Sequence, residues 1–150
     1  MYQKILVPLD GSKRAEAILP HVEQLAQRYH ATVILMQVVL STKVIMDHSN
    51  GYTADIQRRV SEQDKHEATS YLFSLVGEFR EKGIDAEKVI THGPIVESII
   101  AVANSEKADI IAIASHGRSG LPRVFYGSVA ASLLQKIDRP LLLVRSRYYE

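Results

Sequence analysis

Residues 114–129 combine the residue types that bind a phosphate group. This segment contains Gly117, Gly120 and Gly127, and glycine lets a backbone approach a ligand closely. Gly127 and Ser128 stand at the predicted start of a helix, where unpaired N–H groups and the positive end of the helix dipole favour an anion. Several N–H bonds to a charged oxygen, each worth about 1.5–3 kcal/mol, would outweigh the modest dipole contribution. The segment therefore predicts a phosphate site.

The other polar residues of this segment fit the same chemistry. Arg118 and Arg123 add local positive charge to a chain whose net charge is only +1. Ser119 is predicted to bind phosphate rather than to act as a nucleophile, because its G-x-S-G context differs from the G-x-S-x-G nucleophile elbow. His116 is equally consistent with a phosphate contact and with a solvated turn. The alternative for the whole segment is a turn shaped by its glycines, with Ser128 as a helix cap.

Several classes of site are excluded by what the sequence lacks. Neither G-x-x-x-x-G-K-[ST] nor G-x-G-x-x-G occurs, which argues against an ordinary NTPase and against an NAD enzyme. The absence of cysteine excludes disulfides, thiolate metal sites and cysteine nucleophiles. The six histidines are scattered without metal-ligand spacing, so no zinc site is expected. A net charge of +1 provides no basic field for a nucleic acid.

The size and the apolar runs of the chain indicate one small soluble domain. A length of 150 residues suits a single domain with one core. No apolar run approaches the roughly 18 residues of a membrane span. The first four residues run directly into a strand-like block without a signal peptide pattern, so we expect a cytoplasmic protein without membrane contact.

Apolar blocks alternate with helical patterns along the whole chain. The predicted strands are 4–9, 32–39, 84–90, 110–114 and 141–144. The predicted helices are 12–29, one through Val60 that ends near Gly83, one from Gly93 and Pro94 to about Ser105, and 128–137. Residues 40–54 lack periodicity and are expected to form a mobile excursion, and Pro20 should bend the first helix or destabilise it. The alternation predicts a three-layer α/β/α domain with a mainly parallel sheet.

Two loops of this predicted sheet carry small and polar residues. Ligands of such folds bind outside the carboxyl ends of the strands, where the strand order reverses. Residues 8–12 follow the first strand, and residues 114–128 follow the fourth. If these two strands are neighbours, both loops border one crevice, but the pattern alone leaves that adjacency open.

Four separated motifs resemble the universal stress protein (UspA) superfamily over essentially the whole chain. Residues 5–12 resemble its first strand and turn, 108–117 its fourth strand, and 140–144 its closing strand. Gly117, nine residues, and then Gly127, Ser128 and Val129 resemble the G-x2-G-x9-G-[ST] signature of its nucleotide-binding branch. Ala114 replaces the first signature glycine. The resemblance implies one universal stress protein domain over 1–150, with five parallel strands in the order 3-2-1-4-5.

The resemblance also implies an ATP or AMP site. Asp10 would accept hydrogen bonds from the ribose hydroxyls, Pro8 and Leu9 would border the adenine, and the backbone of Val38 would read its edge. Residues 114–129 would wrap the phosphates through backbone N–H groups, assisted by the Ser128 hydroxyl. A magnesium ion could accompany ATP through phosphate oxygens and water. The alternative for Asp10 is a turn carboxylate bonded to the N–H of Ser12 or Lys13, and Val38 has an ordinary core side chain.

Three functions remain open at this point. The first is a regulatory, nucleotide-binding stress protein without rapid turnover. The second is slow ATP hydrolysis or adenylate-handling chemistry assisted by His116 or Asp10. The third is a nucleotide-free interaction module, an option that Ala114 keeps open. The resemblance and the apolar strand 141–144, expected at a sheet edge, also predict a homodimer built on that strand.

Overall fold

Alternating strands and helices form the chain, as the sequence predicts. The computed structural model describes residues 1–40, 53–115 and 127–146, and of residues 53–60 only the backbone. The strands are β1 (Lys4–Leu9), β2 (Thr32–Val39), β3 (Ala86–His92), β4 (Ile110–Ala114) and β5 (Leu141–Val144). The helices are a short 3-10 helix (Ala15–Ile18), α1 (Leu19–Tyr29), α2 (Thr53–Glu81), α3 (Ile95–Ser105) and α4 (Ser128–Lys136).

All strands of the sheet run parallel, in the order β3-β2-β1-β4-β5. The predicted strand order is therefore confirmed, and β1 and β4 are neighbours at the point where the order reverses. Helices α1 and α2 cover one face, around core residues such as Leu35 and Phe79. Helices α3 and α4 cover the other face, around Met36 and Leu133. The sheet is thus the middle layer of three.

Strand β3 begins two residues later than predicted because the end of α2 uses those residues. Gly83 has φ +75°. Its N–H donates to the Arg80 carbonyl at 3.0 Å, and the Ile84 N–H donates to the Phe79 carbonyl at 3.0 Å. These two bonds form a Schellman motif at the end of the helix. Ile84 is part of this motif, so the extended strand starts only after it.

The predicted helix 12–29 is divided into a 3-10 turn and an α-helix. Ser12 Oγ accepts a hydrogen bond from the N–H of Ala15, the first residue of the 3-10 helix, at 3.2 Å, although the N-cap position itself is Arg14. Pro20 lies in the first turn of α1. A helix needs no N–H donor there, so the expected bend inside a continuous helix is wrong.

Two side chains hold the amino end of the sheet together. The Asp109 carboxylate accepts hydrogen bonds from the N–H groups of Gln3 and Lys4, both at 2.8 Å, and so joins the start of β4 to the start of β1. Arg139 Nη1 donates to the carbonyls of Ala103 at 2.7 Å and Ala108 at 2.9 Å. These bonds satisfy carbonyls around the end of α3. These hydrogen bonds stabilise the amino end of the sheet, and the predicted site lies at its carboxyl end.

Candidate functional site

The turn after β1 and the loop after β4 leave the same edge of the sheet. Leu6 pairs with Ile111 in the parallel β1–β4 ladder, so the two strands end side by side. Helix α4, which follows the loop after β4, packs on the α3 side of the sheet. The adjacency that the sequence left open is therefore present: the Asp10 turn follows β1 and Ser115 follows β4 at the strand-order reversal.

Asp10 is held in a closed turn at the end of β1. Its Oδ1 accepts hydrogen bonds from the Ser12 N–H at 2.9 Å and from Ser12 Oγ at 2.6 Å. Gly11 between them has φ +85°, a conformation that favours glycine. This is the turn arrangement that the sequence offered as an alternative for Asp10. The turn keeps the carboxylate at the carboxyl end of β1, where binding to ribose stays a prediction.

Gly127 closes the loop against the end of β4. Its N–H donates to the Ser115 carbonyl at 2.6 Å. A Cβ built on Gly127 would overlap that oxygen, so any side chain there would force the backbone to shift. The Gly127 N–H is thus engaged by Ser115 within the protein, and its contact with a phosphate stays a prediction. The next donors in the first turn of α4 belong to Ser128 and Val129, which have no acceptor within the helix.

The side chains of the predicted site divide between the two faces of the sheet. Ala114, at the first signature position, is 8% exposed and packs with the α1/α2 core, as does Leu9. The Ala114 methyl thus lies on the face opposite α4, and Leu9 offers a ligand only its backbone. Pro8 is buried, and Val38 packs against the α3/α4 core. Val38 is therefore a core side chain, as expected.

The remaining predicted site residues lie outside the described part of the chain. They are His116, Gly117, Arg118, Ser119, Gly120 and Arg123. Most of the excursion predicted over 40–54 also lies outside the described residues. Helix α2 begins at Thr53, near the end of that predicted excursion. The phosphate roles of these residues stay predictions.

Two hydroxyl groups at the carboxyl edge of the sheet were not predicted from the sequence. Thr91 Oγ1 and Ser115 Oγ are closed off from solvent, and neither has a hydrogen-bond partner among the described residues. Unpaired buried hydroxyls are uncommon, because they lose water without gaining a partner. A polar residue at the end of an apolar strand was the available signal. Ser115 was visible within the Gly-rich segment and Thr91 at the end of β3.

Tyr71 is a second feature that the sequence did not indicate. It projects from α2 into the neighbourhood of the Asp10 turn. Burial and the negative charges of Glu16 and Asp10 raise the pKa of Tyr71 far above its ordinary value. Its hydroxyl therefore stays protonated, and α2 presents a neutral donor on the α1/α2 side of that turn.

Comparison with known proteins identifies the chain. The family model described as the universal stress protein family matches residues 1–145. The chain belongs to this family. It is 27% identical to Universal stress protein MJ0577 of Methanocaldococcus jannaschii, over 98% of this chain and 97% of that protein. The solved structure of MJ0577 superposes with a TM-score of 0.87 and 28% identity, covering 99% of both chains.

Two solved universal stress proteins are nucleotide complexes. The protein from Archaeoglobus fulgidus, in complex with dAMP, has a TM-score of 0.68 and 20% identity, over 95% of this chain and 98% of its own. Another, in complex with cAMP, has a TM-score of 0.60 and 19% identity, over 97% of this chain and 98% of its own. At these identities the similarity establishes a shared universal stress protein fold.

Proposed function

We propose that this universal stress protein binds an adenine nucleotide, ATP or AMP, across the carboxyl ends of β2, β1 and β4. The observation that carries the proposal is the meeting of the Asp10 turn with the Ser115–Gly127 closure at the strand-order reversal. A carboxylate that suits ribose hydroxyls and a helix N-terminus that suits phosphate thus border one crevice. The dAMP and cAMP complexes of two relatives support the same ligand class.

Each part of the nucleotide has a proposed partner in this chain. Asp10 binds the ribose hydroxyls, and Pro8 and the backbone of Val38 border the adenine. The N–H groups of Ser128 and Val129 bind phosphate, together with residues of the 116–126 loop. Magnesium would accompany ATP through phosphate oxygens and water, since the described ranges contain no cluster of three potential metal ligands.

We further propose a regulatory role in the cytoplasm. Bound nucleotide would set the conformation of the loops over 40–54 and 114–129, and those loops would contact a partner protein. No helix within the described ranges is long and apolar enough to cross a membrane. The edge position of β5 supports a homodimer, because an open strand edge can pair with a second copy.

Isothermal titration calorimetry of AMP and ATP tests the nucleotide proposal. Asp10→Asn retains an oxygen that can accept the Ser12 bonds but removes the negative charge, so the turn should persist. We expect its affinity for both nucleotides to fall about tenfold, the loss of one hydrogen bond to a charged group. Asp85→Asn is the matched control. Asp85 is exposed at the opposite end of the sheet, where it binds Thr32 Oγ1 at 3.1 Å.

Two outcomes would contradict this assignment. Equal affinity of the native protein and Asp10→Asn would remove Asp10 from the site. No binding of either nucleotide by the native protein would defeat the proposal and favour a nucleotide-free interaction module. Mass spectrometry of small molecules released from the purified, denatured protein identifies any resident nucleotide independently.

A further inference from the structure

The carboxyl ends of four strands form one register row across the sheet. Val38 pairs with Thr91. The last β1–β2 pair is Leu9 with Gln37, so Asp10 follows beside Val38. In the β1–β4 ladder Leu6 pairs with Ile111. Four residues further along from each, Asp10 lies level with Ser115. The row therefore reads Thr91, Val38, Asp10 and Ser115, over three strand spacings or about 14 Å.

Thr91 and Ser115 both point to the face covered by α3 and α4. Side chains two residues apart in a strand share a face. Val89, two residues before Thr91, packs in the α3/α4 core, and so does Ile113, two residues before Ser115. Val38 between them packs in the same core. The two unpartnered hydroxyls thus stand at the two ends of the row, on the face of the sheet that α3 and α4 cover.

The burial of these hydroxyls needs an explanation. Ser115 is 2% exposed, and its Oγ, like Thr91 Oγ1, has no partner among the described residues. The neighbouring hydroxyl of Ser98 is bonded to the His92 carbonyl at 3.5 Å. Replacing such a group by an apolar one of the same shape is neutral or stabilising. Retaining hydroxyls at both ends of the row points to polar partners that a ligand supplies.

The two ends of the row differ in what they can bind. The Ser115 carbonyl accepts the Gly127 N–H at the start of α4, so Ser115 lies at the end of the row that favours an anion. Asp10 lies between the two ends, in the position proposed for ribose. Thr91, beyond Val38, is left at the end farthest from the phosphate. The edge of an adenine that is farthest from its sugar carries the exocyclic amino group.

We propose that the Thr91 hydroxyl is a base-recognition group that accepts a hydrogen bond from the exocyclic amino group of adenine. This assignment rests on the proposed function and deepens it. A threonine hydroxyl has lone pairs to accept the amino hydrogen and a proton to donate in turn. Thr91 therefore favours a purine that carries the amino group at this edge over one that has only hydrogen there.

Thr91→Val tests the assignment, because valine keeps the shape of threonine and removes only the hydroxyl. AMP and purine riboside 5′-monophosphate, which lacks the amino group, are titrated against the native protein and the variant. We expect Thr91→Val to bind AMP roughly five- to tenfold more weakly, the loss of one hydrogen bond. Its affinity for purine riboside 5′-monophosphate should stay within twofold of the native value. The Tm of the ligand-free variant should stay equal or rise, because no protein hydrogen bond is lost.

Two further variants locate the effect. Thr32→Val makes the same substitution at the amino end of β2 and should leave both affinities unchanged. Ser115→Ala should weaken both ligands by the same factor, because both carry the phosphate. Equal affinities of Thr91→Val and native protein, or equal losses for both ligands, would overturn the role of Thr91 while leaving nucleotide binding in place. No AMP binding by the native protein would overturn the proposed function and this inference together.

Discussion

Gly127 has a structural role that its sequence context does not indicate. A glycine before a helix predicts a phosphate-binding amide. In the structure its N–H bonds to the Ser115 carbonyl, and its missing Cβ is what allows that approach. The glycine is thus required for closing the loop onto β4. Its contact with a phosphate stays a prediction.

Gly127→Ala should therefore lower the free energy of unfolding by about 1–3 kcal/mol, as other strained or overpacked substitutions do. Gly77→Ala is the matched control, because Gly77 is exposed within α2 and a Cβ there meets nothing within 4 Å. That control should raise stability by about 0.5–1 kcal/mol, the helix propensity difference between glycine and alanine. Urea unfolding measures both. A Gly127→Ala protein as stable as the native one would contradict the close approach.

Pro20 illustrates how context changes the meaning of a residue at the scale of an element. In a continuous helix over 12–29, Pro20 would remove an internal hydrogen bond. The 3-10 helix Ala15–Ile18 ends before it, so Pro20 stands in the first turn of α1. The periodicity of the apolar residues cannot distinguish these cases, because a 3-10 turn and an α-helical turn bury similar positions.

Pro20→Ala distinguishes the two arrangements by the sign of the stability change. Proline in a compatible position restricts the unfolded chain, so the substitution should destabilise the protein by about 0.4–1 kcal/mol. An interior proline would instead give a gain of about 3 kcal/mol on removal. Thermal or urea unfolding reports the sign, and a gain of that size would show that the helix is continuous through Pro20.

Arg139 connects α3 to the start of β5. Its guanidinium bonds two carbonyls near the end of α3 and also contacts Asn104 and Asp138, and its side chain is 16% exposed. Arg139→Ala should destabilise the protein by about 2 kcal/mol, because two part-buried carbonyls lose a charged donor and the Ala108 carbonyl loses its hydrogen bond to Arg139. AMP affinity should be unchanged, since the residue lies at the amino end of the sheet. A variant that loses binding while keeping its stability would contradict this purely structural role.

Strand β5 is the edge strand on which the proposed dimer would form. The Ile111 N–H donates to the Pro140 carbonyl, and the Ser115 N–H donates to the Val144 carbonyl. Residues 140, 142 and 144 therefore direct their backbone groups toward β4, while Leu141 and Leu143 direct theirs outward. The outward groups are the ones that a second copy of the chain would pair with.

Leu143→Pro should convert the proposed dimer to a monomer, because proline removes an outward N–H and leaves the β4 ladder complete. Leu142→Pro is the contrasting variant, since its N–H points toward β4 and its loss should disrupt the fold itself. Light scattering gives the mass of each variant, and circular dichroism reports whether it is folded. A folded Leu143→Pro protein that remains a dimer would rule out pairing through this edge.

The amino-acid sequence by itself determined the alternation of elements and the class of the fold. Strands β1, β2 and β4 are apolar blocks buried on both faces, and the helices carry apolar stripes, so local periodicity is sufficient to identify these elements. The end of α2 was visible in Gly83 because a left-handed residue terminates a helix. Family resemblance added the strand order, which periodicity alone does not contain.

Only the tertiary structure decided which groups share the site and which are already engaged. That the Gly127 N–H bonds Ser115, and that Ala114 and Leu9 face away from α4, depends on register and on the direction of each side chain. Thr91 reaches the same row as Asp10 through pairing between β3, β2 and β1, strands separated by tens of residues. Hydrogen-bond partners and strand register are properties of the packed sheet, so no local pattern of residue types specifies them.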